Sequence, residues 1–333
     1  MNLKRWEKRG KRGLTRVLSR ALRARDPVSE LPDFRDLESI LLIRQHNQLG
    51  DMLLTTPVFR AIRARAPRAR LDLVSGPANH EAVRECAHLD EVLMYDKAAC
   101  LRDPRAAKRF ADRLRGARYD LVLVLSTVSF SYTSGWLAAL AGARRRAGRP
   151  GPDGRGESTA RDLFHWVLPP PEPGRHQAGV NLDLATPFGA AGDDWSPEIF
   201  LEERDEAEGC EALDDRLGPT GDGLRVVIHP GAGKRPNRWP AERFGEVARA
   251  LAAAGHRVAV ATGPSETDLF AGVDRGAGCA LPRIPGLGLH ALAGAIKHAD
   301  LLLANDTGVL HLGAAVGVPV LTLFGPTDPA QWC

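Results

Sequence analysis

The sequence lacks several features, and each absence excludes a class of protein. No uninterrupted apolar run approaches the roughly 20 residues of a membrane-spanning helix. The start of the chain has no basic, apolar and small-residue series typical of a secretory signal. The five cysteines include no C-x-x-C pair and no zinc-ribbon spacing, so we expect reduced thiols. These absences predict a cytoplasmic protein.

Two nucleotide-binding signatures are also missing. Neither G-x-G-x-x-G nor G-x-x-x-x-G-K-[ST] occurs at the strand-to-helix junctions, which argues against a nicotinamide or flavin dehydrogenase and against a P-loop ATPase or GTPase. The composition is that of a globular protein, with 44% hydrophobic and 26% charged residues. Its 333 residues suggest two domains, at about 150 residues per domain.

The net charge of +4 is unevenly distributed. Residues 1–25 contain ten basic residues and one acidic residue, whereas the other 308 contain 35 basic and 40 acidic residues. Apolar side chains recur at helical spacing from Leu14 to Leu22, after Trp6, and predict a basic amphipathic helix. Such a helix suits an anionic membrane surface. The alternatives are a solvated or docked tail and nucleic-acid binding, for which no recognisable module is present.

The body alternates short β-rich runs with helical patterns. Strands are predicted at Ile40–Ile43, Leu71–Val74, Val92–Tyr95, Tyr119–Leu125, Leu224–Ile228, Arg257–Ala261, Leu301–Ala304 and Pro319–Phe324. Helices are predicted at Asp51–Ala66, Ala106–Leu114, Gln177–Leu184, Glu203–Leu217, Ala241–Ala254, His290–His298 and Gly308–Val316. This alternation predicts two α/β halves with parallel sheets. The breaker-rich stretches Gly148–Gly156 and Pro169–Gly174 are either loops or domain boundaries.

The first candidate for chemistry is Asp51, which follows the first strand. Gly50 permits a close turn, and Asp51 then stands at a helix N-terminus, where the helix dipole stabilises a carboxylate. Asp51 is either a structural N-cap or a general base aimed from the carboxyl end of the strand.

Two further segments suit a phosphate group. In the loop from His229 to Pro240, the backbone N–H groups and cations could bind a diphosphate, or the loop could simply be a solvated basic turn. The segment from Asn305 to His311 precedes a helix rich in Ala and Gly. It is either a phosphate site at a helix N-terminus or a helix cap followed by a core histidine. Asp328 is predicted to be a turn residue.

Together these segments resemble glycosyltransferase family nine, the heptosyltransferases of lipopolysaccharide core assembly. The resemblance runs from Ile40 to Trp332, through LLIR…LGDMLLTTPVFRAI, HPGAG…RWP and NDTGVLHLGAAVGVPVLTLFGPTDPAQW. It implies an α/β GT-B fold, in which two Rossmann-like domains face each other across a cleft. It also implies a nucleotide-sugar donor, inversion at the anomeric carbon, and no metal or other cofactor. The expected division is a basic N-terminal segment at 1–35, an acceptor-side domain at 36–195, a linker at 196–222 and a nucleotide-sugar-binding domain at 223–333.

The resemblance also assigns roles to residues. Asp51 matches the family's proposed catalytic base. The carboxylate of Glu266, beyond the Gly263-Pro264 turn, is the nearest match to one that often binds the ribose. The remaining residues expected at the donor are Gly231, Gly233, Lys234, Arg238, Asp306, Thr307, Gly308 and His311, the last four of which match the motif D-T-G-x-x-H.

Two departures from the family's pattern stand out. Asn237 occupies a position where a lysine is common, so Lys234 or Arg238 is expected to supply the missing charge. The sequence stops at Cys333, and compared with the family it looks shortened at its C-terminus.

The expected function is metal-independent, inverting transfer of heptose or a related sugar from an ADP-sugar to a lipid-linked lipopolysaccharide core acceptor. The expected partners are ADP-heptose, that acceptor and the cytoplasmic face of the inner membrane through the N-terminal helix, without nucleic acid. The alternatives are a non-catalytic nucleotide-sugar-binding paralogue and a GT-B sugar epimerase.

Overall fold

The computed structural model describes residues 22–24, 30–45, 48–151 and 153–333. The predicted N-terminal helix therefore lies almost entirely outside the described residues. The chain forms two compact units by its contacts. Unit 1 comprises Met1–Asn47, Pro57–His80 and Ala87–Asp194, and unit 2 comprises Gln48–Thr56, Glu81–Cys86 and Trp195–Cys333. Two short early segments thus group with the C-terminal unit, whereas the domain boundaries expected from the sequence remain a prediction.

Ten strands and fourteen helices occur in the described residues, besides short 3-10 turns. The strands are β1 Ser39–Arg44, β2 Arg70–Ser75, β3 Glu91–Met94, β4 Leu121–Val124, β5 Arg145–Gly148, β6 Trp166–Val167, β7 Arg225–His229, β8 Arg257–Val260, β9 Leu301–Asn305 and β10 Val320–Leu323. The helices are α1 Leu49–Leu53, α2 Thr56–Arg65, α3 Pro77–His80, α4 Lys97–Arg102, α5 Pro104–Gly116, α6 Tyr132–Leu140, α7 Glu157–Leu163, α8 Gln177–Leu182, α9 Glu203–Leu217, α10 Ala241–Ala253, α11 Leu269–Ala277, α12 Leu289–Lys297, α13 Gly308–Ala315 and α14 Pro329–Trp332. Within these described ranges, no helix combines the length and apolar character needed to cross a bilayer.

Unit 1 is built on a six-stranded parallel sheet in the order β3-β2-β1-β4-β5-β6. Strand β1 lies at its centre, with Ile40 level with Leu71 on one side and Leu121 on the other. Five of the six β1 residues are buried, as expected for a strand of a parallel sheet covered on both faces. The parallel α/β architecture predicted from the apolar runs is confirmed.

The single helix predicted over 51–66 is wrong, since α1 and α2 are separate helices. Pro57 has no N–H to donate to the carbonyl of Leu53, which accepts a hydrogen bond from Thr56 Oγ1 instead (2.8 Å). The Asp51 carbonyl likewise accepts from Thr55 Oγ1 at 2.7 Å. The two threonine hydroxyls thus satisfy carbonyls at the break between the helices.

The stretch Gly148–Gly156 is not a domain boundary. Strand β5 ends at Gly148, and β6 pairs with β5 beyond this stretch, so both flanks belong to one sheet. Sequence patterns missed β5, β6 and six helices, because such short elements show too little periodicity. The missed helices are α3, α4, α6, α7, α11 and α14. All five cysteines are free, as expected.

Unit 2 has a four-stranded parallel sheet in the order β10-β9-β7-β8. Its core contains Val226 and Ile228 of β7, Val258 of β8 and Leu303 of β9, covered by Phe244 of α10. Helices α9 and α12 approach each other at two glycines. A Cβ at Gly209 would lie 2.2 Å from the Ala291 carbonyl oxygen. A Cβ at Gly294 would lie 2.9 Å from the Glu206 Cα.

We predict that Gly209→Ala lowers the free energy of unfolding by about 1–3 kcal/mol, because the added methyl meets backbone atoms that cannot rotate away. Gly116→Ala is the matched control, since a Cβ there meets nothing within 4 Å. The control should leave stability unchanged or raise it by up to about 1 kcal/mol. Denaturant unfolding of both variants measures the difference, and equal stabilities would contradict the proposed helix contact.

Candidate functional site

The site forms where β7 and β9 end side by side in unit 2. The two strands pair in parallel, with His229 level with Ala304, so their carboxyl ends lie at the same edge of the sheet. The loop 230–240 leaves this edge after β7, and Asp306 and Thr307 follow β9. Two of the three candidate segments are therefore neighbours. Ligands of parallel α/β sheets bind at this end of the strands.

The buried side chain of Asn305 joins the two segments. Its Nδ2 donates to the Pro230 carbonyl oxygen (2.8 Å), and its Oδ1 accepts from the backbone N–H of Trp239 (3.0 Å). The Trp239 ring packs edge-on against Phe244, with 5.2 Å between ring centroids. These contacts hold the start and the end of the loop. Sequence reasoning missed Asn305, although a polar residue ending an otherwise apolar strand was an available signal.

Glu266 lies against the same loop. A Cβ at Gly231 would come within 2.0 Å of Glu266 Oε2, so the carboxylate occupies the space that any other residue would fill. Glu266 Oε2 accepts from the backbone N–H of Gly263 (3.3 Å), and Oε1 accepts from Arg238 Nη2 (3.2 Å). Arg238 Nε also donates to the Ala232 carbonyl oxygen at 2.7 Å. Three predicted residues, Gly231, Arg238 and Glu266, thus form one cluster.

His229 completes this cluster and was not predicted. Its Nδ1–H donates to the Ala261 carbonyl oxygen (3.0 Å), and its Nε2 lies 3.8 Å from Glu266 Oε2. Burial lowers the pKa of His229, which favours the neutral imidazole. The negative charge of Glu266 acts in the opposite direction and raises the pKa of His229. Arg238, which is paired with the same carboxylate, lowers this pKa because its positive charge disfavours a protonated imidazole.

Asp306 forms a second cluster with two neutral donors. Its Oδ2 accepts from Asn237 Nδ2 (2.8 Å) and from Thr327 Oγ1 (2.5 Å). Asn237, the departure from the family's lysine, thus holds Asp306 through an amide. The alternative that a side chain of this segment caps α13 is wrong. The N-cap residue is Thr307 and its side chain makes no capping hydrogen bond, while Asp306 turns to Asn237 and Thr327.

The remaining candidate segment, which contains Gly50 and Asp51, contacts the site through helix α13. A Cβ at Gly308, the first residue of α13, would lie 2.9 Å from Leu49 Cβ of α1. One turn later, the buried His311 ring lies against Gly50, where a Cβ would come within 2.3 Å of Cδ2. The two glycines let α1 and α13 approach so closely.

This contact places Asp51 beside α13. Asp51 is 9% exposed and lies in the first turn of α1, next to Gly50. The N-cap of α1 is Gln48, so the alternative that Asp51 is an N-cap residue is wrong. Asp328 does cap α14, accepting from the Ala330 N–H at 3.0 Å, as expected of a turn residue.

Gly233 and Lys234 belong to neither the Glu266 cluster nor the Asp306 cluster. A Cβ at Gly233 would meet nothing within 4 Å, and the Lys234 side chain is exposed. In the part of the chain that the structure describes, the Lys234 ammonium makes no hydrogen bond or ion pair, whereas Arg238 is already engaged twice. Across those same residues, no three His, Cys, Asp or Glu side chains are grouped to hold a metal ion.

We predict that Gly50→Ala lowers the free energy of unfolding by about 1–3 kcal/mol, because its methyl would collide with the His311 ring. In a His311→Ala background the ring is absent, and the same change should cost far less. Unfolding of the two single variants and the double variant measures this coupling. Additive losses would contradict the contact between α1 and α13.

Sequence comparisons identify relatives over most of the chain. The family model for glycosyltransferase family 9 (heptosyltransferase) matches residues 107–333. Lipopolysaccharide heptosyltransferase 3 of Escherichia coli is 27% identical over 294 residues, which cover 85% of this chain and 82% of that protein. Lipopolysaccharide heptosyltransferase 1 of Pseudomonas aeruginosa is 30% identical over 227 residues, covering 67% of this chain and 59% of that protein.

Solved structures agree with the fold. A glycosyl transferase family 9 protein from Veillonella parvula has a TM-score of 0.79 at 23% identity, over 92% of this chain and 85% of that chain. The ADP-heptose lps heptosyltransferase II of Escherichia coli has a TM-score of 0.70 at 20% identity, over 88% and 86%. The expected GT-B fold is confirmed. With the match of the family model over most of its length, the chain belongs to glycosyltransferase family 9 (heptosyltransferase) and is a glycosyltransferase.

Proposed function

We propose that this glycosyltransferase transfers a heptose or a related sugar from an ADP-sugar to a lipopolysaccharide core acceptor, with inversion at the anomeric carbon. The names of the relatives support the sugar and the acceptor. One solved neighbour, the Escherichia coli heptosyltransferase WaaC, was crystallised with ADP and supports the nucleotide. The observation that carries the proposal is the contact between α1, which holds Asp51, and the first turns of α13.

Asp51 acts as the general base in this proposal. Its carboxylate takes the proton from an acceptor hydroxyl while that oxygen attacks the anomeric carbon. The bond between the anomeric carbon and the diphosphate oxygen breaks on the opposite side, so the configuration inverts and ADP leaves with the bonding electrons. Because Asp51 is only 9% exposed, few water molecules can reach its carboxylate and compete with the acceptor hydroxyl for hydrogen bonds.

The leaving diphosphate gains negative charge, which the protein must stabilise. The N-terminal turn of α13 offers backbone N–H groups at the positive end of a helix dipole, and no side-chain cap occupies them at Thr307. Lys234 adds an exposed cation on the turn after β7. We propose that these groups perform this role without a metal ion.

Glu266 is placed to bind the nucleoside. Its oxygens accept from Gly263 N–H and from Arg238, and a carboxylate has lone pairs for about four donors. The ribose hydroxyls of the donor would use the remaining ones. Gly231 makes room for this carboxylate, since a side chain there would overlap it.

We predict that Asp51→Asn lowers kcat by about 10²–10⁴-fold, because the amide preserves shape but cannot accept the proton. ADP affinity, measured by calorimetry, should stay within a few-fold. Asp193→Asn, at an exposed carboxylate, is the matched control and should leave turnover unchanged. Turnover of Asp51→Asn within a few-fold of the parent would exclude Asp51 as the base. A parent chain that binds ADP without turnover would indicate a binding paralogue.

A second pair of variants separates binding from structure. Lys234→Gln should weaken ADP binding about tenfold while leaving the melting temperature unchanged, because its ammonium makes no hydrogen bond or ion pair in the described part of the protein. Arg238→Gln should lower the melting temperature, because Glu266 and the Ala232 carbonyl lose a donor. Unchanged ADP affinity in Lys234→Gln would leave the helix N-terminus as the main phosphate site.

We also propose that residues 1–25 bind a membrane surface. Their ten basic residues and apolar spacing suit the anionic cytoplasmic face of the inner membrane, where a lipid-linked acceptor would be found. That segment lies almost wholly outside the described residues, so its sequence alone supports the proposal.

A further inference from the structure

The helices α4 and α5 of unit 1 carry a second concentration of positive charge. Residues 97–118 contain eight basic and two acidic residues. Outside this segment and residues 1–25, the chain has 27 basic and 38 acidic residues. A strongly basic surface thus lies within an otherwise acidic body. We define the basic face by its exposed cations Lys97, Arg102, Arg105, Lys108, Arg109 and Arg115.

The helical spacing directs these cations outward. Leu114 of α5 is buried in the core of unit 1, and Phe110 packs on Tyr95 with 5.2 Å between ring centroids. The cations at 105, 108 and 109 follow the i, i+3, i+4 spacing of the opposite side of the helix. The core contacts of α5 therefore fix the orientation of the basic face.

Only part of this charge is neutralised within the protein. Lys108 pairs with Asp112 (2.6 Å) and Arg109 with Asp103 (3.5 Å). Lys97, Arg102 and Arg115 have no acidic partner among the described residues, and neither has Arg105.

Only some of these cations suit the helices themselves. Arg102 and Arg115 lie in the last turns of α4 and α5, where a cation interacts favourably with the helix dipole, but Arg105 does not. Arg105 lies in the first turn, where a cation opposes the helix dipole, and it repels Lys108 and Arg109. An external anionic surface would turn these unfavourable interactions into favourable ones.

Apolar side chains project beside the same cations. Leu101 of α4 is 77% exposed, between Lys97 and Arg102 in sequence, and Met94 at the end of β3 is 51% exposed. Exposed apolar side chains among cations are typical of segments that lie at a bilayer interface. Single-stranded nucleic acid would instead call for exposed aromatic rings, and the two aromatic residues here, Tyr95 and Phe110, pack against each other.

We propose that the basic face, together with Leu101 and Met94, binds the surface of a bilayer containing anionic phospholipids. The cations contact the headgroups, and the two apolar side chains enter the boundary of the acyl region. This surface is made of residues other than 1–25 and other than the proposed donor-binding residues, so its role at the membrane would not depend on which sugar is transferred.

The test is co-sedimentation of the full chain with vesicles of phosphatidylcholine, alone or with added phosphatidylglycerol. The face variant carries Lys97→Gln, Arg102→Gln and Arg105→Gln, which break no ion pair among the described residues. We expect it to bind the anionic vesicles at least about tenfold more weakly, since three surface cations contribute more than that. Leu101→Asn should weaken binding a few-fold further. Raising the salt concentration should reduce the difference between the parent chain and the face variant.

The matched control carries Arg68→Gln, Arg216→Gln and Arg249→Gln, three exposed arginines that also have no ion pair in the described ranges. It removes the same charge and should keep nearly the full affinity of the parent chain. A separate variant with Lys4, Arg5, Lys8 and Arg9 changed to Gln measures the contribution of the N-terminal segment.

Equal binding by the face variant and the control would overturn the proposal, because total charge or the N-terminal segment would then account for the affinity. The proposal would also be overturned, in favour of nucleic acid, if the face variant lost binding to single-stranded RNA but bound the vesicles as well as the parent chain does. Melting temperatures should match the parent's in all variants. Sugar transfer to a soluble acceptor should also be unchanged, which separates this surface from the proposed reaction.

Discussion

Parallel pairing of β7 with β9 is the constraint on which the candidate site depends. It brings the ends of two strands, more than seventy residues apart in sequence, to one edge of the unit 2 sheet. The side chain of Asn305 then uses its donor and its acceptor to join the loop after β7 to the end of β9. The positions of Arg238 and Asn237, and through them Glu266 and Asp306, follow from this junction.

Space is as important as charge in this part of the protein. Gly50 and Gly231 each lie where a Cβ would overlap a functional candidate, the His311 ring in one case and the Glu266 carboxylate in the other. A glycine that makes room for a side chain also fixes where that side chain lies, because the surroundings are densely packed. The proposed base and the proposed donor-binding helix thus come together through a steric contact between α1 and α13.

The charges divide into those that the fold uses and those that it leaves exposed. Arg238 is bound to Glu266 and to a backbone carbonyl, and it supports the loop. Lys234 and the basic face on α4 and α5 point to solvent, where they contribute little to stability. Exposed cations of this kind can bind anionic ligands, which we proposed to be a diphosphate for Lys234 and phospholipid headgroups for the basic face.

The sequence by itself determined the architecture and the motif residues. Apolar runs predicted eight strands of the parallel sheets, because a strand buried on both faces has to be apolar throughout. Asp306 was also evident from its place between a strand and a helix, whereas Glu266 was reached only through the resemblance to the family. Short elements such as α7 and β6 were not predicted. The helix predicted over 51–66 is in fact two helices, separated near Pro57.

Only the tertiary structure decided which partner each side chain has. Whether Arg238 or Lys234 is already engaged, whether Asp51 caps its helix, and why position 50 has to be glycine depend on atoms far away in sequence. The excess of basic residues over 97–118 can be counted in the sequence, but only the structure shows which of these side chains are exposed and which of them have an acidic partner. Local propensity and periodicity fix the elements, but the contacts between elements arise from packing that no single segment encodes.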